Sequence, residues 1–463
     1  MSLQAKLIDR LLRVIEPERI ATDAERLDDV TWDALSDGRL HPMRRPDVAV
    51  PLCVVLPVDT TEVREVVLLA NAEKIAIVPF GGGSGLMGGA LSLQPGIVVD
   101  LRKMNRILEI DPKARTAKVE AGVVLESLEN RLNRQGLILG HDPWTLPVAT
   151  VGGAISTNSL GYRGGKYGSM GDQVLGLEVV LPNGEILRTR AATKTSTGIG
   201  LKHLFIGGEG CFGIITEATI KIFPKPEKRL LRAFHFASFD EGFAAIQKLF
   251  DRDLKPALLD FGDDADKHPG GAVLYLAFEG VGEVIGAEER LSSAICAGGG
   301  GQLLPQEEAE RFWRERHEIA YRFMRQRRQR RDRSDDPERR DWIHVALPAS
   351  RVLDFRNAAS AIISRHGVQL QESGLWTQPG LFSIRLAIRG EDRELSQRLL
   401  QETVEALLEL AQEMGGSMEY CHGVGVKLAP FMEQEHAYGL ELMRQIKKAL
   451  DPNSIMNPGK LGL

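Results

Sequence analysis

Residues 75–100 read IAIVPFGGGSGLMGGALSLQPGIVVD, and this stretch decides the fold. An apolar run, Ile75 to Phe80, leads into six glycines among the nine residues from Gly81 to Gly89. Glycine this dense is costly, because each one loses more backbone freedom on folding than any other residue. It marks positive φ or a close approach of backbone to something else. Consecutive N–H groups without side chains form an anion cradle, and phosphate is its common guest. Gly83, Gly85 and Gly88 fit the G-x-G-x-x-G fingerprint, but that fingerprint needs a helix directly after the glycines to receive the pyrophosphate. The residues that follow, ALSLQPGIVVDL, contain Pro95, Gly96 and a β-branched run, which predicts a strand. The stretch is therefore read as a phosphate cradle between strands, not as a nicotinamide-type βαβ unit.

Upstream, residues 4–16 carry Leu, Ile and Val at helical spacing and stop before Pro17, and residues 23–46 form a polar covering arm. VAVPLCVVLP predicts a strand, and DTTEVREVVLLANAEK predicts a helix capped by Thr60 or Thr61. Downstream, MNRILEIDPKARTAKVEAGV reads as a hairpin turning at Asp111–Pro112, and LESLENRLNRQGL as a helix ended by Gly136. A second Gly/Ser/Thr/Asn-rich stretch runs from Gly140 to Gly168, before a hairpin turning at Asn183–Gly184. A third, LFIGGEGCFGIITEATIKIFP (204–224), ends in an alternating strand. One extended ligand touching all three glycine-rich stretches is the economical explanation. After Pro226, segments 231–250, 272–296 and 343–366 each pair a β-like run with an amphipathic helix, as in an antiparallel sheet with helices on one face. Arg322–Arg333 reads as a solvated loop. The tail places GGSMEYCHGVGVKLAP between two helices.

Length and composition bound the rest. The 463 residues suggest two to three domains, and 43% hydrophobic with 26% charged residues is ordinary for a soluble globular chain. A net charge of -5 gives no case for a nucleic-acid partner. Cys53, Cys211, Cys296 and Cys421 are far apart, with no CxxC pair, which fits a reducing, cytoplasmic setting. The N-terminus lacks the apolar core of a signal peptide, and no window approaches a membrane span.

The segments PFGGGSGLMGG (79–89), ATVGGAISTNSLG (149–161), KYG (166–168), GGEGCFGIITEATIKIFPKP (207–226), CHGVG (421–425) and DPNSIMNPGK (451–460) together resemble the FAD-binding oxidases of the vanillyl-alcohol-oxidase (PCMH-type) superfamily. The branch they resemble is the FAD-linked oxidases: D-lactate dehydrogenases, the glycolate oxidase catalytic subunit, D-2-hydroxyglutarate dehydrogenases and alkyldihydroxyacetonephosphate synthase. The resemblance implies an α+β fold, with a two-subdomain PCMH-type FAD-binding domain and an antiparallel-sheet cap domain carrying helices on one face. In chain order the expected parts are an N-terminal helix and covering arm (1–46), the FAD-binding domain (47–226), the cap or substrate domain (227–415) and a segment returning to the FAD domain (416–463). Pro79 and Phe80 would lead into Gly81, Gly82, Gly83, Ser84, Gly85 and Leu86, whose N–H groups would hold the pyrophosphate. Pro143, Thr150, Gly152, Gly153, Thr157, Asn158 and Gly161 would line the flavin and ribityl chain. Glu209, Gly210, Gly213, Ile214 and Ile215 would border the adenosine half and the isoalloxazine edge, and Asn457 would approach from the tail. No His or Cys is arranged for covalent attachment, so the FAD is expected to be non-covalent.

The resemblance also implies chemistry: oxidation of a small 2-hydroxy acid of the D-lactate, glycolate or D-2-hydroxyglutarate class by hydride transfer to flavin. His422, in the motif CHGVG, is the candidate base, since an imidazole near 6.5 suits proton transfer at neutral pH. Arg316, in FWRERHEIAYRF, is the candidate carboxylate anchor, with the forked guanidinium that suits the task. Many dehydrogenases of this branch carry a metal-binding G-H-x-G-D-G-N-x-H strand and a Glu before the motif histidine. Here that strand reads TQPGLFSIRLAIRG (377–390), and Cys421 stands at the Glu position. No metal is therefore expected. Arg385, on the same strand, is a second candidate for an acidic substrate. The alternative is an alkylglycerone-phosphate synthase-like enzyme of ether-lipid synthesis. It is suggested by TQ at 377–378, IAY at 319–321 and the STG-x-x-x-x-H-x-F pattern at 196–205. Against it, the strand has Leu381, Phe382, Ser383 and Ile384 where a tyrosine is expected, and Leu375 replaces an arginine. The partners implied are a small carboxylate substrate and a quinone, cytochrome or flavoprotein electron acceptor, with peripheral membrane association and a homodimer left open.

Overall fold

The computed structural model describes residues 3–44, 46–264, 270–327 and 338–463. The apolar runs around the glycines build a four-stranded sheet in the order Ile20–Ala21, Cys53–Val55, Gly96–Asp100, Ala76–Phe80. The last three strands are parallel, with Val98 opposite both Val54 and Val78. They are buried almost throughout, which is why they read as continuous apolar runs, not alternating ones. Helix Thr60–Glu73 connects the first two of these strands in sequence. Its cap is Asp59, whose carboxylate accepts Glu62 N–H at 2.9 Å, not Thr60 or Thr61 as expected. The helix begins one residue earlier than the threonines suggest, and aspartate caps at least as well. From Phe80 to Gly96 the chain crosses without a helix, as Pro95 and Gly96 led one to expect.

The second sheet is antiparallel: Ile107–Asp111, Thr116–Glu120, Ile214–Pro224, Val174–Val180, Ile186–Arg188, with Leu137–Leu139 also pairing on Ile214–Pro224. The glycine loop packs against the segment that leads into helix Val151–Ser156. A Cβ on Gly82 would lie 2.2 Å from the carbonyl oxygen of Val148, and one on Gly81 would lie 2.4 Å from Thr150 Oγ1. Any side chain at either position would push the subdomains apart.

The third sheet has seven antiparallel strands in the order Gln302–Leu303, Lys228–Phe236, Ala272–Gly280, Leu258–Gly262, Gln369–Trp376, Leu381–Arg389, Glu338–Ala346. Helices Phe239–Asp251, Gly282–Gly298, Val352–Arg365 and Arg393–Glu413 pack on it. The arginine run expected to be a loop begins inside helix Glu318–Arg327; residues 328–337 lie outside the described residues. The N-terminal helix is shorter than expected, Leu3–Leu11. All four cysteines are buried and free. No helix among the described residues is long and apolar enough to cross a membrane.

Two buried carboxylates tie the tail to the rest. Asp341, fully buried on the edge strand of the third sheet, accepts Arg39 Nε at 2.6 Å, Lys427 Nζ at 2.7 Å and Gln401 Nε2 at 2.9 Å. Burial alone would raise this carboxyl, but Arg39 and Lys427 hold it down at about 2. Glu209 accepts Val424 N–H at 2.6 Å and Gly425 N–H at 2.9 Å. Burial outweighs those bonds and pushes it up to about 7.

Asp341→Ala leaves Arg39 and Lys427 buried without their counter-ion, and is expected to cost about 3–5 kcal/mol of stability; a denaturant titration against the wild type measures it. Glu209 gives a pH signature. Its folded value lies above the ordinary 4.5, so the folded protein holds this proton more tightly than the unfolded chain does. Its contribution is present below pH 4.5 and is lost as pH rises to about 7, a change of about 3 kcal/mol. Melting curves from pH 4.5 to 7.5 should show the wild type losing stability relative to Glu209→Gln over that window, and flat below and above it.

Candidate active site

The three glycine-rich stretches close around one elongated cleft enclosing about 1200 Å³, part of it open to solvent. Its floor is the loop after strand Ala76–Phe80, with Gly83 in the left-handed region at φ 60°. One wall is the short helix Val151–Ser156, which the sequence reading did not single out; Thr150 caps it by accepting Gly153 N–H. The far wall is Glu209–Ile215, where Glu209 (φ 46°) and Gly210 (φ 75°) turn the chain toward strand Ile214–Pro224. Left-handed non-glycine residues are uncommon and cluster where a site over-determines the backbone.

Pro79, Phe80, Gly81, Gly82, Gly83, Ser84, Gly85, Leu86, Pro143, Thr150, Gly152, Gly153, Thr157, Glu209, Gly210, Gly213, Ile214 and Ile215 all line the cleft. Three other expected residues stand behind it. Asn158 accepts Gly171 N–H, and Gly161 lies where a Cβ would meet the Asp142 backbone at 2.6 Å. Asn457 donates to the carbonyls of Gly89 and Glu209, and its buried Oδ1 is unpartnered. Sequence reading missed Asp33 of the arm, Trp144 and Cys421, which also line the cleft. Asp33 carried no local signal, since it belongs to a polar arm far away in sequence. The cleft suits a long ligand with phosphates: its lining is backbone, small side chains and apolar surface, and among the described residues His422 is its only basic side chain.

His422 occupies one corner, and an edge pairing builds that corner. Strand Glu338–Ala346 exchanges hydrogen bonds with Ser417 through Ala346, and Tyr420 N–H donates to His344 O at 3.2 Å. The pairing brings His344 opposite Glu419 and sets the two imidazoles edge to face, centroids 4.4 Å apart. Glu419 Oε1 accepts the N–H groups of Cys421 (2.7 Å) and His422 (2.9 Å) and lies 3.5 Å from His422 Nδ1. That separation is an ion-pair contact, too long for a good hydrogen bond, and Nδ1 of both His344 and His422 is buried without a partner. Burial lowers both rings. His344 is taken down to about 3, with His422 opposing it further, whereas Cys421 and Glu419 raise His422 to about 10. The corner thus holds one neutral and one charged imidazole, not the near-neutral base that the sequence suggested.

The arginines lie elsewhere. Arg316 Nε is 3.0 Å from Asp142 Oδ2, its Nη1 donates to Trp313 O, and its guanidinium stacks 3.9 Å over the Trp313 ring. His317 bonds the same carboxylate at 2.9 Å. Burial would raise Asp142, but Arg163, His317 and Arg316 hold it far below the usual range. Arg316 therefore supports Asp142, next to the cleft residue Pro143. Arg385 pairs with Asp264 at 3.2 Å and Glu372 at 3.5 Å within the third sheet.

Comparison with known proteins agrees with this geometry. Residues 51–190 match the family described as FAD binding domain, and residues 225–461 match FAD linked oxidases, C-terminal domain. Glycolate oxidase subunit GlcD of Bacillus subtilis (strain 168) is 30% identical over 429 residues, covering 89% of both chains. D-lactate dehydrogenase of Archaeoglobus fulgidus is 30% identical over 470 residues, covering 98% of both. Alkyldihydroxyacetonephosphate synthase of Dictyostelium discoideum is 26% identical, covering 89% of this chain and 73% of its own. A solved alkyldihydroxyacetonephosphate synthase structure superposes with a TM-score of 0.81 at 21% identity, over 98% of this chain and 86% of its own. p-Cresol methylhydroxylase superposes at 0.78 and 19%, over 99% and 96%. The chain belongs to the FAD-linked oxidases of the PCMH-type fold, in the company of GlcD and D-lactate dehydrogenase, and FAD is its cofactor.

Proposed function

We propose that the protein is an FAD-dependent dehydrogenase that oxidises a small 2-hydroxy acid and passes the electrons to a quinone, cytochrome or flavoprotein acceptor. The observation that carries this reading is His422, among the described residues the only basic side chain lining the flavin cleft. The names of the relatives at 30% identity point to the same substrate class. FAD, when bound, supplies the hydride acceptor. The chain supplies the surroundings. Cys421 Sγ lies 3.8 Å from Leu160 O beside His422, and Glu419 orients His422 through two backbone bonds. His422 meets the substrate's polar end: held protonated beside Cys421 and Glu419, it attracts the carboxylate as a cation, and only its small unprotonated fraction takes the hydroxyl proton as hydride leaves carbon. Arg316 acts through Asp142 to hold the wall at Pro143, not as an open anchor.

The test is anaerobic mixing of the holoenzyme with D-lactate, glycolate and D-2-hydroxyglutarate. Bleaching of the oxidised flavin band by one of them is expected; no bleaching by any, together with ether product from an acyl-dihydroxyacetone phosphate and a fatty alcohol, would replace this reading with the synthase one. His422→Ala should slow bleaching by about 10²-fold or more while flavin content stays that of the wild type. Arg316→Ala, by removing one of the cationic partners of buried Asp142, should lower thermal stability as well as activity, whereas a residue that only anchors substrate would raise KM alone.

A further inference from the structure

The His422 corner contains more than a base and its orienting acid. Among the described residues it holds the one group of three side chains with metal-ligand chemistry: His344, Glu419 and His422, each offering a donor atom, all donors within 4.8 Å of one another. Each part has a physical reason to be where it is. His344 comes from the edge strand of the seven-stranded sheet, and Glu419 and His422 come from the tail that pairs with that edge. None of the three lies in 377–390 or at position 421, the places where the resembling dehydrogenases carry their ligands. The expectation of no metal rested on those places alone.

We infer that His344, Glu419 and His422 form a binding site for one divalent transition-metal ion of the zinc class, built from a ligand set particular to this chain. The buried, unpartnered Nδ1 of His422 lies 3.5 Å from the Glu419 carboxylate, and His344, in the same group, also has a buried Nδ1 without a partner. Unpartnered buried nitrogens are costly, and a cation among them would satisfy both at once. Glu419 is already fixed by the N–H groups of Cys421 and His422 on Oε1, the kind of outer bond that orients a ligand. Two donors on one tetrahedral zinc stand about 3.4 Å apart, given bonds of about 2.0–2.1 Å. The present spread therefore asks for about an ångström of contraction, which side-chain rotation supplies. Two imidazoles and one carboxylate favour Zn²⁺, Co²⁺ or Fe²⁺ over Mg²⁺ and Ca²⁺, which prefer oxygen. Three protein ligands leave at least one coordination position open. Because His422 lines the flavin cleft, a small molecule on that position would lie at the cleft wall.

The site shares His422 with the hydroxy-acid reading, but its test uses no substrate. The holoenzyme is treated with a chelator, dialysed against Zn²⁺ and assayed for metal by elemental analysis. One zinc per chain is expected. His344→Ala, which alters no residue lining the cleft, and Glu419→Gln should each weaken retention by more than about 100-fold, with flavin content and fluorescence reporting that the fold survives. His203→Ala, outside the corner, should retain one zinc per chain. X-ray absorption at the zinc edge of the wild type gives a reading that needs no variant, and two imidazole ligands are expected. No retained zinc, equal retention by His344→Ala, or an edge spectrum without imidazole would each overturn the site. Flavin bleaching by a hydroxy acid, measured separately, has no bearing on that outcome.

Discussion

The Asp341 carboxylate is the constraint on which the His422 corner depends. It is buried on an edge strand and can stay ionised there only because Arg39 from the arm and Lys427 from the tail reach it. Breaking such a pair costs far more than forming it gains, so three remote segments are held in one arrangement. His344 lies three residues further along the same strand, and His422 lies five residues before Lys427. The ion cluster therefore fixes both sides of the corner. Lys427 pays for its place in protonation: burial and the neighbouring Arg39 bring it down to about 8 despite Asp341.

The cleft has an economical electrostatic plan. Along the glycine loop the cleft is lined by backbone and short polar side chains, and among the described residues no lysine or arginine is on the lining. Cations are used instead as internal ties: Arg163 near Asp142 and Glu279, and Lys447 on Asp451 and two carbonyls. Charge on the cleft wall is left to His422, Glu209 and Asp33, and only the first is basic.

The glycine segments were legible because a chain that must run against another backbone can use nothing else. Gly82 beneath Val148 and Gly161 beneath Asp142 show the requirement directly. The crossing without a helix after Gly89 was legible from Pro95 and Gly96 for the same local reason. Sequence could not separate the residues that line the cleft from those that brace it, since Asn457 and Asn158 carry the same small polar side chains as true lining residues. The pairing of His344 with Glu419 was illegible. It arises from an edge contact across 75 residues, and the alternation in IHVALP predicts a strand without telling which neighbour it will meet. The partners of Arg316 and Arg385 were hidden likewise, because an arginine in sequence shows its charge and not its counter-ion.

The tail's return has a consequence for how the chain is made. Ile77 N–H donates to Ile455 O at 2.7 Å, and Asn457 N–H donates to Ile77 O at 2.8 Å, so the strand that feeds the glycine loop is flanked by residues nearly 380 positions later. Contacts this distant in sequence form late and slowly. On the ribosome, the first half of the chain can collapse and even form its parallel strands, but the edge beside Ile77 stays unpaired while the whole seven-stranded lobe is synthesised. Nascent chains are then exposed to mispairing at that edge for most of their synthesis, and flavin capture should be a late, nearly terminal event of biogenesis.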